Sequence, residues 1–172
     1  MFQAMDRAEL QAVQKPLKDR YREEPAAALI TLRADGRLDE QNIACKVDTG
    51  RALVEAGLHP ATGGTGAFAC SGDMLLEALA ACAGVTLRSV ATSMELAVTG
   101  TVHAEGDLDF RGTLGVDREA SVGFTAIRLR FDLASDAPEE KLDKLLELTE
   151  RYCVVGQTLA GGVPVEFSYS TS

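Results

Sequence analysis

The segment from Met74 to Met94 is apolar nearly all the way round. Leu75, Leu76, Leu79, Ala80, Ala81, Cys82, Val85, Leu87 and Val90 leave no continuous polar face when wound as an α-helix. Such a helix has to be covered on every side, so the rest of the chain is expected to wrap around it. Ser71 just ahead of it is a candidate N-cap. Asp73 places negative charge in the first turn, where the macrodipole favours it. The longest charge-free stretch here, Ala78 to Leu87, is about half of what a membrane span requires, which argues against a membrane partner.

The flanking sequence supplies the wrapping. Leu10, Val13, Leu17 and Tyr21 recur at helical spacing with Pro16 among them, which predicts one broken helix or two short ones. Pro25 then punctuates, giving an N-terminal helical extension over 1–25 and a main domain over 26–172. Ala28 to Leu32 reads as a strand, Ala34-Asp35-Gly36-Arg37 as a turn, and Ile43 to Thr49 as the partner strand with Cys45 facing inward. A Gly-rich connection runs from Ala56 to Gly66. Beyond the long helix, Val98 to Leu108 and Val122 to Leu133 read as strands. In the second, Ile127, Leu129, Phe131 and Leu133 alternate with Arg128, Arg130 and Asp132, the pattern of a sheet with one wet face. Asp136 with Pro138 and Glu139 opens a helix in the capping-box manner, with an apolar stripe of Leu142, Leu145, Leu146, Tyr152 and Cys153. Gly161 and Gly162 close it, and Val163, Val165, Phe167 and Tyr169 make a final strand. Runs of strands and helices without βαβ alternation give an α+β class.

Composition narrows the function. The 172 residues carry a net charge of −9, which repels phosphate backbones and anionic lipid and argues against a nucleic-acid partner. Met1 to Arg22 mixes both charge signs and lacks the apolar core of a signal peptide, so a cytoplasmic location is expected. Cys45, Cys70, Cys82 and Cys153 form no CxxC pair, and His59 and His103 are not spaced as ligands, which argues against zinc. No cofactor is expected either. Gly64-Thr65-Gly66-Ala67-Phe68-Ala69 matches a dinucleotide fingerprint only superficially, because no βαβ unit surrounds it. Cytosolic cysteines that are neither a disulfide framework nor metal ligands are either reactive thiols or core residues, and pattern alone leaves both open for Cys82 and Cys153.

Two motifs tip the balance. Ser71-Gly72-Asp73-Met74-Leu75-Leu76-Glu77-Ala78-Leu79-Ala80-Ala81-Cys82 resembles the central-helix motif of the OsmC/Ohr family, and Glu150-Arg151-Tyr152-Cys153-Val154-Val155-Gly156-Gln157-Thr158-Leu159 resembles its second-cysteine motif. The resemblance runs from about Ala28 to the C-terminus. It implies antiparallel sheets wrapped around buried central helices in an intertwined homodimer with active sites at the subunit interface. It also implies a thiol-dependent hydroperoxide reductase. Cys82 as thiolate attacks the O–O bond, Cys153 condenses with the resulting sulfenic acid to a disulfide, and an external dithiol, in relatives often a dihydrolipoyl group, resets the pair. The alternative on the same fold is a non-catalytic redox-sensing or binding module.

A thiolate in apolar surroundings needs help to ionise. The family uses an arginine from the first hairpin; here the candidates are Arg37 and Arg33. Asp73 would substitute for the family's glutamate, although nine residues of helix place it about 13 Å from Cys82 along the axis. Val154 stands where the family commonly has proline.

Overall fold

A computed structural model of the chain describes residues 6–29, 35–38, 44–48 and 53–171. Its centre is α2 (Ser71–Ser93), the long apolar helix. Leu79, Ala83, Leu87 and Ala91 are its buried residues, a stripe at i, i+4, i+8 and i+12 that faces α4 (Glu139–Tyr152), α5 (Val154–Gly161) and β5 (Thr99–Leu108). The expected burial on all sides is not met within one chain. Ala78, Ala81 and Val85 are exposed, Val85 by 72%. By length and apolarity α2 would in fact suffice to cross a bilayer; here one face of it packs against α4, α5 and β5.

Two core clusters lie along α2. Toward its C-terminal end Leu87, Ala91, Val98 and Leu145 are buried together, and toward its middle Leu79, Ala83 and Cys153. Both lean on the hairpin of β5 and β6 (Phe124–Ala134), in which Val102 pairs with Phe131, Ala104 with Leu129 and Gly106 with Ile127. The alternate positions, His103 with Arg130 and Glu105 with Arg128, form the wet face, so the alternation read from the sequence holds. Gly100 has φ +147°, and a Cβ there would run into the Asp132 carbonyl, so only glycine fits where β5 approaches β6.

The second sheet holds β1 (Asp35–Leu38), β2 (Ala44–Asp48), β3 (Leu53–Gly57) and β4 (Ala69–Cys70) in that order. The pairs β1–β2 and β2–β3 are antiparallel, whereas β3–β4 is parallel. Several expectations are corrected here. Asp35, Gly36 and Arg37 are strand rather than turn, paired with Asp48, Val47 and Lys46. Ala28 ends a short 3-10 turn, Pro25–Ala28, instead of opening a strand, and 30–34 lie outside the described residues. Ala56 and Gly57 belong to β3 rather than to a loop. Phe68 packs over Gly57 so closely that a Cβ would meet its ring carbons at about 3 Å.

The termini differ from expectation too. α1 (Arg7–Glu23) runs unbroken through Pro16. It is exposed along most of its length, so water can satisfy the carbonyl that the proline leaves without a donor. Its start is fixed by a capping box between Asp6 and Glu9, and Arg7 ties it to Glu95 at the end of α2. For α2 the N-cap is Cys70, without a side-chain bond, and Ser71 is already helical. For α4 the N-cap is Pro138, and Asp136 makes no capping bond; Glu139 and Glu140 supply first-turn charge instead. Tyr152 and Leu146 on its expected apolar stripe are exposed. α5 ends at Gly162 in the left-handed conformation, as the double glycine suggests. The final segment, 163–171, joins no ladder, and Val163, Val165, Phe167 and Tyr169 stand exposed. The expected closing strand does not form among the described residues.

Candidate active site around Cys82 and Cys153

Cys82 sits midway along α2, one position before the buried Ala83, and is half-buried. Cys153 lies in the break between α4 and α5, where φ −72° and ψ 103° take one residue out of helical geometry. That residue serves both neighbours. It is the C-cap of α4 and the N-cap of α5, its sulfur accepting the Gly156 N–H at 3.4 Å. Cys153 is 3% exposed and shares a cluster with Leu79 and Ala83, against which Cys82, Val102, Ile127, Leu129 and Val155 pack. Two cysteines 71 positions apart thus meet because α5 folds back on the middle of α2.

The two thiols are driven apart electrostatically. Burial pushes Cys82 up, but the backbone N–H of Val155, the Cys153 thiol, the Val154 N–H and the Thr86 hydroxyl together outweigh it and hold Cys82 below an ordinary thiol. Burial pushes Cys153 up and the Gly156 N–H only partly offsets this, while the neighbouring Cys82 raises it further. The arrangement favours one thiolate, on Cys82, beside one thiol, on Cys153. Thr86 Oγ1 donates to the Cys82 carbonyl at 2.8 Å, one turn back along α2.

The lowering groups come chiefly from the first turn of α5, whose amides and dipole favour an anion. They were invisible in the sequence, since a backbone N–H has no residue signature. The one signal available was negative: Val154, unlike proline, keeps an N–H. Of the arginine candidates, Arg37 has its backbone in β1 opposite Lys46, while its side chain, like all of Arg33, lies outside the described residues. The side chain of Cys45 in β2 also lies outside them. Asp73 is exposed in the first turn of α2 and is not among the groups that shift Cys82. Cys70 is half-buried at the N-cap of α2, apart from the pair. Among the described residues no three His, Cys, Asp or Glu side chains gather as metal ligands.

A cleft of about 580 Å³ opens between β6 and the α4–α5 corner. Its walls are mainly apolar, from Ile127, Leu129, Leu146 and Leu159, and Cys153 lines it whereas Cys82 does not. At its edge Gln157 Nε2 donates to the Glu150 carbonyl at 2.9 Å, bracing α5 against α4.

Comparison with known proteins agrees with this architecture. The family model described as OsmC-like protein matches residues 64–168, which include both cysteines. Among solved structures, an OsmC-like protein from Mycoplasma pneumoniae superposes with a TM-score of 0.63 at 17% identity, covering 77% of this chain and 89% of that one. An organic hydroperoxide resistance protein from Elizabethkingia anophelis gives 0.55 at 19% identity, with 78% and 91% covered. One from Legionella pneumophila gives 0.54 at 17% identity, with 78% and 92% covered. No curated protein matches the chain at a significant level. At such identities the structures speak for the fold, and the family model for membership: the chain belongs to the OsmC-like protein family.

Proposed function

We propose that the protein is a thiol-dependent hydroperoxide reductase with Cys82 as the peroxidatic residue and Cys153 as the resolving one. The Cys82 thiolate attacks the terminal oxygen of ROOH and the O–O bond breaks. ROH leaves with a proton, and Cys82 becomes a sulfenic acid. The Cys153 thiol then attacks the Cys82 sulfur, water leaves, and a Cys82–Cys153 disulfide forms. An external dithiol, of the dihydrolipoyl kind, returns both to thiols. The observation that carries this reading is the meeting of the two sulfurs in one apolar cluster, with Cys82 shifted down and Cys153 up. The N-terminal turn of α5 supplies the positive potential that a thiolate needs, and Arg37 or Arg33 would add to it. Asp73 retains a lesser role, as a partner for an arginine reaching across from another subunit.

The active unit in this reading is a cytoplasmic homodimer. What supports it is the bare face of α2 at Ala78, Ala81 and Val85, together with the exposed alternating residues of 163–169, neither of which is covered in one chain.

The test is a disulfide map. Reduced protein treated with one equivalent of an alkyl hydroperoxide is expected to give a Cys82–Cys153 linkage and one equivalent of alcohol. No such linkage, with full peroxide consumption by Cys82→Ser, overturns the assignment.

A further inference from the structure

We propose that the thiol which resets the disulfide comes in through the cleft between β6 and the α4–α5 corner and attacks Cys153, expelling Cys82 as the leaving thiolate. The inference rests on the peroxidase reading above and adds the direction of its reductive half.

The argument is geometric first. In thiol–disulfide exchange the attacking, central and leaving sulfurs line up, so the attacker arrives on the side of the central sulfur away from the leaving one. Cys153 lines the cleft and is buried with Leu79 and Ala83, whereas Cys82 packs against the same cluster without lining the cleft. Leu79 and Ala83 from α2 reach the cleft, but Cys82, on the same helix, does not line it. Total exposure favours Cys82, which is half-buried against 3% for Cys153. Access from the cleft favours Cys153, because it is the one of the two cysteines that lines the cleft. The cleft also suits the attacker: at about 580 Å³ it takes a small molecule, and walls of Ile127, Leu129, Leu146 and Leu159 take a flexible aliphatic thiol rather than a highly charged one.

The chemistry points the same way. A disulfide breaks faster toward the sulfur that makes the better-stabilised thiolate, and at this site that is Cys82, faced by the Val155 and Val154 amides. The step balances as follows. A thiolate RS⁻ forms an S–S bond to Cys153 while the Cys153–Cys82 bond breaks, and the electron pair stays on Cys82. A second thiol then attacks the RS sulfur of that mixed disulfide, giving RSSR and a Cys153 thiolate that takes up a proton. Two reductant thiols are oxidised and one protein disulfide is reduced. Cys82 is released directly as the thiolate that meets the next peroxide.

The experiment uses the whole wild-type chain. Protein oxidised with one equivalent of alkyl hydroperoxide is freed of excess, mixed briefly with 2-mercaptoethanol, quenched in acid, alkylated and mapped by mass spectrometry. The expected result at the shortest times is mercaptoethanol on Cys153 and the alkylating tag on Cys82, with at least ~tenfold less of the reverse arrangement. Mercaptoethanol mainly on Cys82, or equal amounts on both, overturns the proposal. If peroxide forms no bridge, the peroxidase reading fails by itself; the bridge is then made with diamide, and the same trap still reads the direction of attack. Failure of diamide to bridge the pair refutes the sulfur geometry and this inference with it. Ala160→Trp, which places bulk in the cleft, is expected to slow trapping at Cys153 about tenfold. Unchanged trapping by this variant would mean the thiol arrives by another route and would also overturn the proposal.

Discussion

Cys153 packs beside Cys82 from the position where it also caps α5. Burial raises both thiols, but the α5 amides and the neighbouring Cys153 thiol bring Cys82 below its ordinary value, whereas Cys153 stays above. Two chemically identical residues are thereby shifted in opposite directions.

Removing the nucleophile is the first check. Cys82→Ser is expected to reduce hydroperoxide consumption to background, a loss of roughly a thousandfold or more. Cys153→Ser should still consume about one equivalent and stall as a sulfenic acid that dimedone traps. A turnover-competent Cys82→Ser enzyme would contradict the assignment.

Ionisation of Cys82 sets the pH dependence. Its folded value is depressed, so the thiolate persists below the pH at which a free cysteine protonates, and alkylation falls off only as pH drops through that lowered value. Cys153→Ala removes one of the groups that lower Cys82 and should move this fall-off to higher pH. The linkage to stability has the matching sign: Cys82 stabilises the fold above the unfolded thiol value, and the contribution is lost as pH falls through the folded one. Cys153, raised, favours the fold below the unfolded value and loses that contribution as pH rises through its own. Alkylation rates against pH, of Cys82 in Cys153→Ala and of Cys153 in Cys82→Ser, read both directions.

Leu145 holds α4 onto α2. It is fully buried among Leu87, Ala91 and Val98, and Leu145→Ala is expected to cost about 2–5 kcal/mol in urea unfolding, with the transition remaining cooperative.

The bare face of α2 gives an assembly test. Val85→Asp puts a charge on that face and should convert the proposed dimer to a monomer in light scattering, with a far-UV spectrum still helical. An unchanged mass would remove this face from the interface.

The hairpin crossing gives a backbone test. Gly100→Ala requires the +147° conformation and collides with the Asp132 carbonyl, so a loss of about 1–3 kcal/mol is expected. Equal thermal midpoints for variant and wild type would refute the close approach.

Legibility followed the strength of the local pattern. α2 and the β5–β6 hairpin announced themselves because long, uninterrupted periodicity leaves few alternatives. The Asp35-Gly36 pair looked like a turn yet lies in β1, since pairing with Val47 and Asp48 overrides a dipeptide preference. β3 was hidden by glycines at its end, where Gly57 is small because Phe68 lies over it. Val163 to Tyr169 shows strand alternation with no ladder partner among the described residues, because alternation records which side chains share a face and names no neighbouring strand. The cysteine pair was legible only through resemblance, for nothing local in the sequence says that α5 returns to the middle of α2.

The sulfur that ends α4 also begins α5, holding the Gly156 amide at 3.4 Å. Whatever is done to that atom, whether bridging, alkylation or loss of its proton, is therefore written onto a backbone N–H three residues away. The amide resonance of Gly156 becomes a spectroscopic gauge of the cysteine's chemical state, readable without any label at the sulfur itself.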